Sequence, residues 1–340
     1  MRLPSFFLAL SVLAVGASLA CSGASEDPAA GATEPGDAAS GTAPTPTGGA
    51  SVASGDASAP TGDAGPEATY ESKLYALPQT SYAVTRIGEA IEALVAAKPA
   101  IEGVLLYVHG RSCGGGGEPQ KSLESVVPDM ETEYGAGVLM FFWPGSDDGC
   151  PLGFPEPQAR KAGPALRATL SALASYAATK PAALAQRKVT LITHSLGNIV
   201  LESALATKTG VPGTLVANAI VQSSAAALTG HAGWLANLDF AERAFVTVNG
   251  QDKVLAAAEL VAGPRLGHGL GTEKLTSRAA YVDFTAAGVN HQYYVASGQK
   301  GAGLKAFYQD VMRGRPYDLA GSSAIGKRET RDGATVYTFK

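Results

Sequence analysis

A serine stands between a predicted strand and a predicted helix in residues 189–200, which read VTLITHSLGNIV. The first part is rich in apolar and β-branched residues, which favours a buried strand, and an apolar helical pattern follows Ser195 at once. Such a turn lifts the serine oxygen out of the sheet, and the backbone N–H of Leu196 then faces the place where an oxyanion would form. The pattern predicts a serine nucleophile for acyl transfer. The alternative is a serine that merely caps a helix.

Residues 193–197 resemble the nucleophile elbow, G-x-S-x-G, of the α/β-hydrolase superfamily. Gly197 occupies the second glycine position, whereas Thr193 stands at the first. An elbow holds its serine in strained backbone geometry, so a β-branched residue at the first position crowds the turn without forbidding it. The resemblance implies an α/β-hydrolase fold and a triad in the chain order Ser, then Asp or Glu, then His.

The acid that this order implies is Asp252. It follows a strand-like run at 244–248, within the turn NGQDKV at 249–254. The turn is similar to an N-x-x-D-x-V-like turn that carries the acid in many hydrolases of the superfamily. The alternative is that Asp252 is an ordinary turn or N-cap residue.

The base that the order implies is His291, which lies in the loop after the last core strand, 280–284. Its competitors are His231, in a predicted helix, and His268, in a glycine-rich loop, and neither follows a strand. We expect His291 to take the proton of the nucleophile, and the alternative is an ordinary surface histidine.

The turn His109-Gly110-Arg111 follows the first core strand. In the resemblance it is the H-G turn beside the oxyanion, so we expect the backbone N–H of Arg111 to be the second oxyanion donor. His109 and His194 come too early in the chain order to be the base; His194 is the variable residue before the nucleophile.

Two other kinds of site find little support in the sequence. The glycines at 114–117, followed by Lys121, suggest a phosphate-binding P-loop, but that motif requires glycine immediately before the lysine and Gln120 is there instead. We expect these glycines to form a pliable rim of the active-site mouth. There is no H-E-x-x-H motif or cysteine pair at ligand spacing, and Asp147-Asp148 is more typical of a solvated turn, so we expect neither metal nor organic cofactor.

Residues 70–340 are long enough for one α/β domain. Continuous apolar strands alternate there with helical patterns, which predicts a mostly parallel central sheet with helices on both faces, an α/β-hydrolase fold. Chemistry in such a sheet sits at the carboxyl ends of the strands. The strand-like runs are 104–109, 137–143, 189–194, 216–222, 244–249 and 280–284. A helix is predicted over 85–97, an early edge strand within 74–84, and a strand-like run at 335–339 has no assigned place.

Residues 1–20 carry one charge, Arg2, and then an apolar stretch, which is typical of an export signal. The end of this stretch, Ser18-Leu19-Ala20-Cys21, resembles a bacterial lipobox, although Ser18 stands where leucine is usual. The resemblance implies a cell-envelope lipoprotein, anchored to a membrane through a lipidated Cys21. Ordinary secretion and an uncleaved anchor helix are the alternatives.

A low-complexity segment follows the lipobox, at 21–69. Residues 22–69 hold seven acids but no aromatic residue, lysine or arginine. Such a segment buries too little apolar surface to offset its ordering entropy, so we expect a disordered tether. The formal net charge of −4 arises in this segment, and the rest of the chain is near neutral. No basic cluster indicates a nucleic-acid surface.

Two of the three cysteines, Cys113 and Cys150, lie in loops after predicted neighbouring strands. An exported chain meets an oxidising compartment, so we expect these two to form a disulfide. Two free thiols, or pairing with another molecule, are the alternatives.

Together these features predict a tethered serine hydrolase of carboxylic esters. Ser195 would attack the acyl carbon, His291 would take its proton, and Asp252 would fix the imidazole tautomer. The N–H groups of Leu196 and Arg111 would hold the oxyanion. The rival is a non-catalytic surface interaction protein on a hydrolase scaffold, since a fold does not fix a function. The sequence leaves the substrate and the oligomeric state open.

Overall fold

The computed structural model describes residues 72–76, 80–111, 122–145, 154–185, 187–208, 214–295, 298–299 and 301–340. Several predicted features lie outside these residues: the export signal, Cys21, the tether, Cys113, Cys150, the glycines at 114–117 and the Asp147-Asp148 pair.

A ten-stranded sheet runs through the described part of the chain. The strands are β1 (Lys73–Ala76), β2 (Ser81–Ala83), β3 (Gly103–Val108), β4 (Gly137–Phe142), β5 (Lys188–His194), β6 (Val216–Gln222), β7 (Ala241–Val248), β8 (Ala280–Asp283), β9 (Ile325–Arg331) and β10 (Ala334–Phe339). Their order across the sheet is β2-β1-β4-β3-β5-β6-β7-β8-β10-β9. The seven strands from β4 to β10 in this order pair parallel with one another. At the two edges of the sheet, β1, β2 and β9 pair antiparallel.

Helices cover both faces of this sheet. They are α1 (Ile87–Ala97), α2 (Val127–Tyr134), α3 (Glu156–Thr179), α4 (Pro181–Ala185), α5 (Gly197–Ala204), α6 (His231–Leu235), α7 (Lys253–Ala262) and α8 (Ala302–Met312). Successive residues of a strand point to opposite faces. Thus Val104 of β3 packs in one hydrophobic cluster with α1, α3 and α5, whereas Leu105 packs in a second cluster with α2 and α8.

This architecture confirms the predicted fold class, an α/β-hydrolase fold with a mostly parallel sheet and helices on both faces. All six predicted core strands form, and their ends shift because hydrogen-bond pairing with the neighbouring strand, not hydropathy alone, sets where a strand stops. The predicted edge strand within 74–84 is two antiparallel strands, β1 and β2. The run at 335–339, which had no assigned place, belongs to β10, parallel to β8.

Among the described residues, no helix combines the length and the apolar character needed to cross a membrane.

Candidate active site

Ser195 lies in a tight turn between β5 and α5. Its φ is +53°, a left-handed conformation that non-glycine residues rarely adopt and that clusters at functional sites. The turn packs closely on the end of β3: a Cβ placed at Gly197 would lie 2.6 Å from the carbonyl oxygens of both Val108 and His109. Only glycine fits there, so the second glycine of the elbow is a steric requirement.

The threonine at the first elbow position has a polar partner. Thr193 Oγ1 donates to Asn198 Oδ1 at 2.6 Å, and Asn198 Nδ2 donates to the carbonyl oxygens of Ser195 at 3.0 Å and Gln222 at 2.9 Å. Thr193 and Asn198 are both fully buried. The Thr193 hydroxyl therefore fixes which side of the amide faces the two carbonyls, and the amide holds the turn.

Backbone donors surround the elbow. The Ser195 N–H donates to the Gln222 carbonyl at 3.1 Å, whereas the Leu196 N–H finds no acceptor among the described residues. The H-G turn lies directly against the serine, since a Cβ at Gly110 would be 2.9 Å from Ser195 Cβ. A free N–H at a helix start beside a serine suits a developing negative charge.

His109 anchors that H-G turn as a neutral imidazole. Its Nδ1 lies 2.6 Å from the Gly110 carbonyl oxygen, and its Nε2 lies 3.0 Å from the carbonyl oxygen and 3.2 Å from the backbone nitrogen of Trp143. The indole N–H of Trp143 returns a bond to the His109 carbonyl at 2.8 Å. Burial lowers the pKa of His109 to about 4, which keeps the ring neutral. His109 is therefore a structural tie between the ends of β3 and β4.

Asp252 is at once a helix cap and the partner of a histidine. Its Oδ1 accepts the backbone N–H groups of Val254 at 3.0 Å and Leu255 at 3.1 Å, which caps α7. Its Oδ2 lies 2.6 Å from His291 Nδ1, and the carboxylate is fully buried. Asp252 is therefore both the N-cap of α7 and the partner of His291, because each carboxylate oxygen has its own hydrogen-bond partners. The carboxylate accepts from Nδ1, which leaves Nε2 of His291 as the basic nitrogen.

Asn249 joins the acid turn to the histidine loop. Its Oδ1 accepts the Gln251 N–H at 3.0 Å and its carbonyl accepts the Asp252 N–H at 3.1 Å, which shapes the turn. Its Nδ2 donates to the Val289 carbonyl at 3.0 Å, two residues before His291.

The structure brings His291 to the same end of the sheet as Ser195. The His291 ring centroid lies 4.7 Å from that of His194, the residue before the serine. The rival histidines are occupied elsewhere: His231 is buried in α6 with Nδ1 on the Leu228 carbonyl, and His268 Nδ1 lies 2.9 Å from a carboxylate oxygen of Glu259. Asp252 therefore pairs with His291, the histidine that the chain order indicates.

Sequence reasoning missed three residues of this region, Asn198, Gln222 and Ser223. Their only sequence signal is polarity out of place: Asn198 interrupts an apolar helix, and Gln222-Ser223 end an apolar strand. Within the described residues, no group of three or more His, Cys, Asp or Glu side chains is arranged to hold a metal ion.

No protein-family model matches the sequence, and no curated protein matches it. Solved structures with some likeness include an esterase of Pyrobaculum calidifontis, 16% identical, with 62% of this chain and 77% of that chain covered at a TM-score of 0.35. A carboxyl esterase of the fungus Tuber melanosporum is 13% identical, with 74% and 89% covered at 0.40. A thermostable esterase of Pseudomonas putida is 16% identical, with 64% and 73% covered at 0.35.

Proposed function

We propose that this protein is a serine hydrolase that cleaves carboxylic esters through an acyl-enzyme. The observation that carries the proposal is the 2.6 Å contact between Asp252 Oδ2 and His291 Nδ1, at the end of the sheet where Ser195 stands in a strained turn. Ser195 Oγ attacks the acyl carbon while His291 Nε2 takes its proton, which then passes to the departing alkoxide. Water, activated by the same histidine, releases the acid and restores the serine.

Two backbone N–H groups stabilise the tetrahedral oxyanion in this mechanism. Leu196 supplies the N–H that lacks an acceptor among the described residues, and Arg111 supplies the second from the turn that packs on Ser195. Asp252 stays ionised and stabilises the imidazolium as it forms. The expected substrates are small-molecule or lipid esters.

A fluorophosphonate probe and a short-chain aryl ester test the proposal. The probe should label the wild-type chain at Ser195, and the ester should be hydrolysed. Ser195→Ala and His291→Ala should each lower the rate by at least about 10³-fold, as in other triads.

A matched control exists in the same molecule. His268 also contacts a carboxylate, that of Glu259, yet lies outside the proposed triad. His268→Ala should keep the wild-type rate. Near-normal activity of pure Ser195→Ala would show that the mechanism is wrong. A wild-type chain that neither hydrolyses the ester nor reacts with the probe would leave the non-catalytic interaction protein as the better interpretation.

We also propose that Cys21 is acylated and anchors the protein to a membrane, on the ground of the lipobox-like Ser18 to Cys21 and the tether after it. Cys21→Ser should abolish lipid modification and move the protein out of the detergent phase. Unchanged partitioning would indicate an uncleaved helix instead.

A disulfide between Cys113 and Cys150 is the third part of the proposal, and it rests on export alone. Mass spectrometry of unreduced peptides should find the two cysteines linked. If both are alkylated freely without reductant, the bond is absent.

A further inference from the structure

A chain of buried hydrogen bonds ends on the main chain of His291. The Tyr308 hydroxyl of α8 donates to Gln222 Oε1, Gln222 Nε2 donates to Ser223 Oγ at 2.9 Å, and Ser223 Oγ donates to the His291 carbonyl at 2.9 Å. Tyr308, Gln222 and Ser223 are fully buried. Every donor in the chain points toward His291, an arrangement in which each bond strengthens the next.

Gln222 also holds the nucleophile. Its carbonyl accepts the Ser195 N–H at 3.1 Å and Asn198 Nδ2 at 2.9 Å, while its side chain belongs to the hydrogen-bond chain described above. One residue at the carboxyl end of β6 is thus bonded to the serine turn through its backbone and, through Ser223, to the histidine loop.

Ser223 is held in an unfavourable conformation. Its φ is +44°, and its N–H donates to Thr247 Oγ1 at 3.3 Å. Strain of this kind persists only where the surroundings over-determine it, and it is concentrated at functional sites. Burial raises the pKa of Tyr308 well above its ordinary range, so its hydroxyl keeps its proton and its role as donor.

We propose that Gln222 and Ser223 are positioning residues, which set the distance between His291 and Ser195 by bonding the main chain of both. The inference rests on the proposed triad. Asp252 contacts one atom of the His291 ring, and the ring of His194 lies beside it with 4.7 Å between the two centroids. The Ser223 bond fixes the backbone from which the His291 ring extends, and displacements of about 1 Å at such a group lower rates by about 10²-fold.

Two substitutions at Ser223 separate positioning from ordinary stability. Ser223→Ala and Ser223→Gly both remove the hydroxyl, but only glycine tolerates the positive φ without strain. We expect both to lower kcat and the rate of fluorophosphonate labelling by about 10-fold or more, with KM within about twofold, because the hydroxyl acts on the histidine and touches no substrate. Ser223→Gly should be the more thermostable of the two and yet equally slow.

The effect should fade along the chain. Gln222→Met leaves the Ser223 hydroxyl in place but removes the amide that donates to it, so we expect a smaller loss of kcat than in the Ser223 variants. Tyr308→Phe removes only the hydroxyl that donates to Gln222, so we expect the smallest loss. Thr169→Val is the control: the buried Thr169 hydroxyl donates to the Ala165 carbonyl within α3, so its removal should leave kcat unchanged.

A double-substitution cycle tests whether Ser223 acts through His291. In a His291→Ala background, Ser223→Ala should have no further effect on the residual labelling rate, since nothing is left to position. An additive loss would mean a general structural role and would overturn the inference.

The outcomes distinguish the two proposals. A wild-type chain that neither labels nor hydrolyses esters overturns the proposed function and the inference together. If the wild-type chain is labelled and the Ser223 variants are labelled equally fast, the inference alone is overturned. The same holds if Ser223→Gly is both more stable and correspondingly more active than Ser223→Ala. If both Ser223 variants fail to fold, Gln222→Met decides by the same split of kcat and KM.

Discussion

The serine turn and the histidine loop meet at one end of the sheet but are held by different means. In the serine turn, two of the bonds that shape the backbone join residues three and five positions apart, Asn198 to Ser195 and Thr193 to Asn198. The turn has one remote partner, the Gln222 carbonyl, 24 positions from Asn198. The histidine loop depends on partners that are remote in the chain: 39 positions to Asp252 and 68 to Ser223. Because it has contacts between residues close in the chain, the serine turn can be predicted from its own sequence. The histidine loop takes its shape only after the sheet has assembled.

The largest effect is expected where the histidine loop meets its acid. Asp252→Asn keeps an oxygen to cap α7 but turns an amide toward His291 Nδ1, which favours the wrong tautomer. We expect kcat/KM to fall by about 10³- to 10⁴-fold, which is about 4 to 5.5 kcal/mol of transition-state stabilisation.

Stability should change little in the same variant, because the cap remains. Asp252→Ala removes both functions and should lose about 1 kcal/mol of stability as well. Ester kinetics and thermal unfolding of the two variants check this pair of effects. An Asp252→Asn variant that keeps a tenth of the wild-type rate would show that the acid serves only as a cap.

The serine turn is best broken sterically. Gly197→Ala places a methyl group 2.6 Å from two carbonyl oxygens at the end of β3, which cannot rotate away as a side chain would. Overpacking against fixed backbone should cost about 3 kcal/mol of unfolding free energy and most of the activity.

Gly250→Ala is the matched substitution in the acid turn. A Cβ there meets its nearest atom, Thr285 Oγ1, at 3.3 Å, and the backbone has no positive φ. The change in stability should stay within about 1 kcal/mol. Urea unfolding of both variants measures the difference, and equal losses would mean that the elbow glycine has no special steric role.

This contrast also explains how far the sequence predicts the molecule. Continuous apolar runs predict the six core strands. The placing of Ser195, Asp252 and His291 just after strands, in the chain order Ser, Asp, His, predicts that they lie at one end of the sheet. The two antiparallel edge strands and the position of β10 do not follow from the sequence, because strand pairing between remote segments depends on packing that hydropathy does not specify.

The supporting residues escaped prediction for a related reason. Nothing in the sequence marks Ser223 as a residue with positive φ, since that conformation results from its neighbours in the fold. Gln222 has a function only because α8, the serine turn and the histidine loop converge on it. Of the three, Asn198 has the clearest sequence signal, because it is an isolated amide in an apolar helix beside the serine.

Acid should weaken the turn that packs on the serine. His109 has a folded-state pKa of about 4, below the ordinary 6.5, because burial disfavours its charged form. Between these values the unfolded chain binds a proton that the folded chain does not, so stability is complete above about pH 6.5 and is lost as the pH falls. We expect about 2 kcal/mol to be lost between about pH 6.5 and pH 5 from this residue.

Unfolding free energies at these two pH values check the expectation. His109→Gln removes the titrating group and should flatten the pH dependence by that amount. An unchanged slope in His109→Gln would place the acid sensitivity elsewhere, for instance at His194, whose pKa burial also lowers.

The smallest effect is expected at Thr193, where this chain departs from the elbow pattern. Thr193→Val keeps the shape of the side chain and removes the donor to Asn198 Oδ1. The amide then loses a buried partner, which should cost about 1 to 2 kcal/mol of stability. The rate should fall only about two- to threefold, because Asn198 Nδ2 keeps its bonds to the Ser195 and Gln222 carbonyls.

A double-mutant cycle decides whether that loss belongs to the Thr193–Asn198 bond. In an Asn198→Leu background the acceptor of the Thr193 hydroxyl is gone, so adding Thr193→Val should cost far less than it does in the wild type. If the two losses simply add, the hydroxyl instead serves the Ile220 carbonyl, its more distant acceptor at 3.4 Å. Thr193 would then stabilise the pairing of β5 with β6 and leave the serine turn to Gly197 and Asn198 alone.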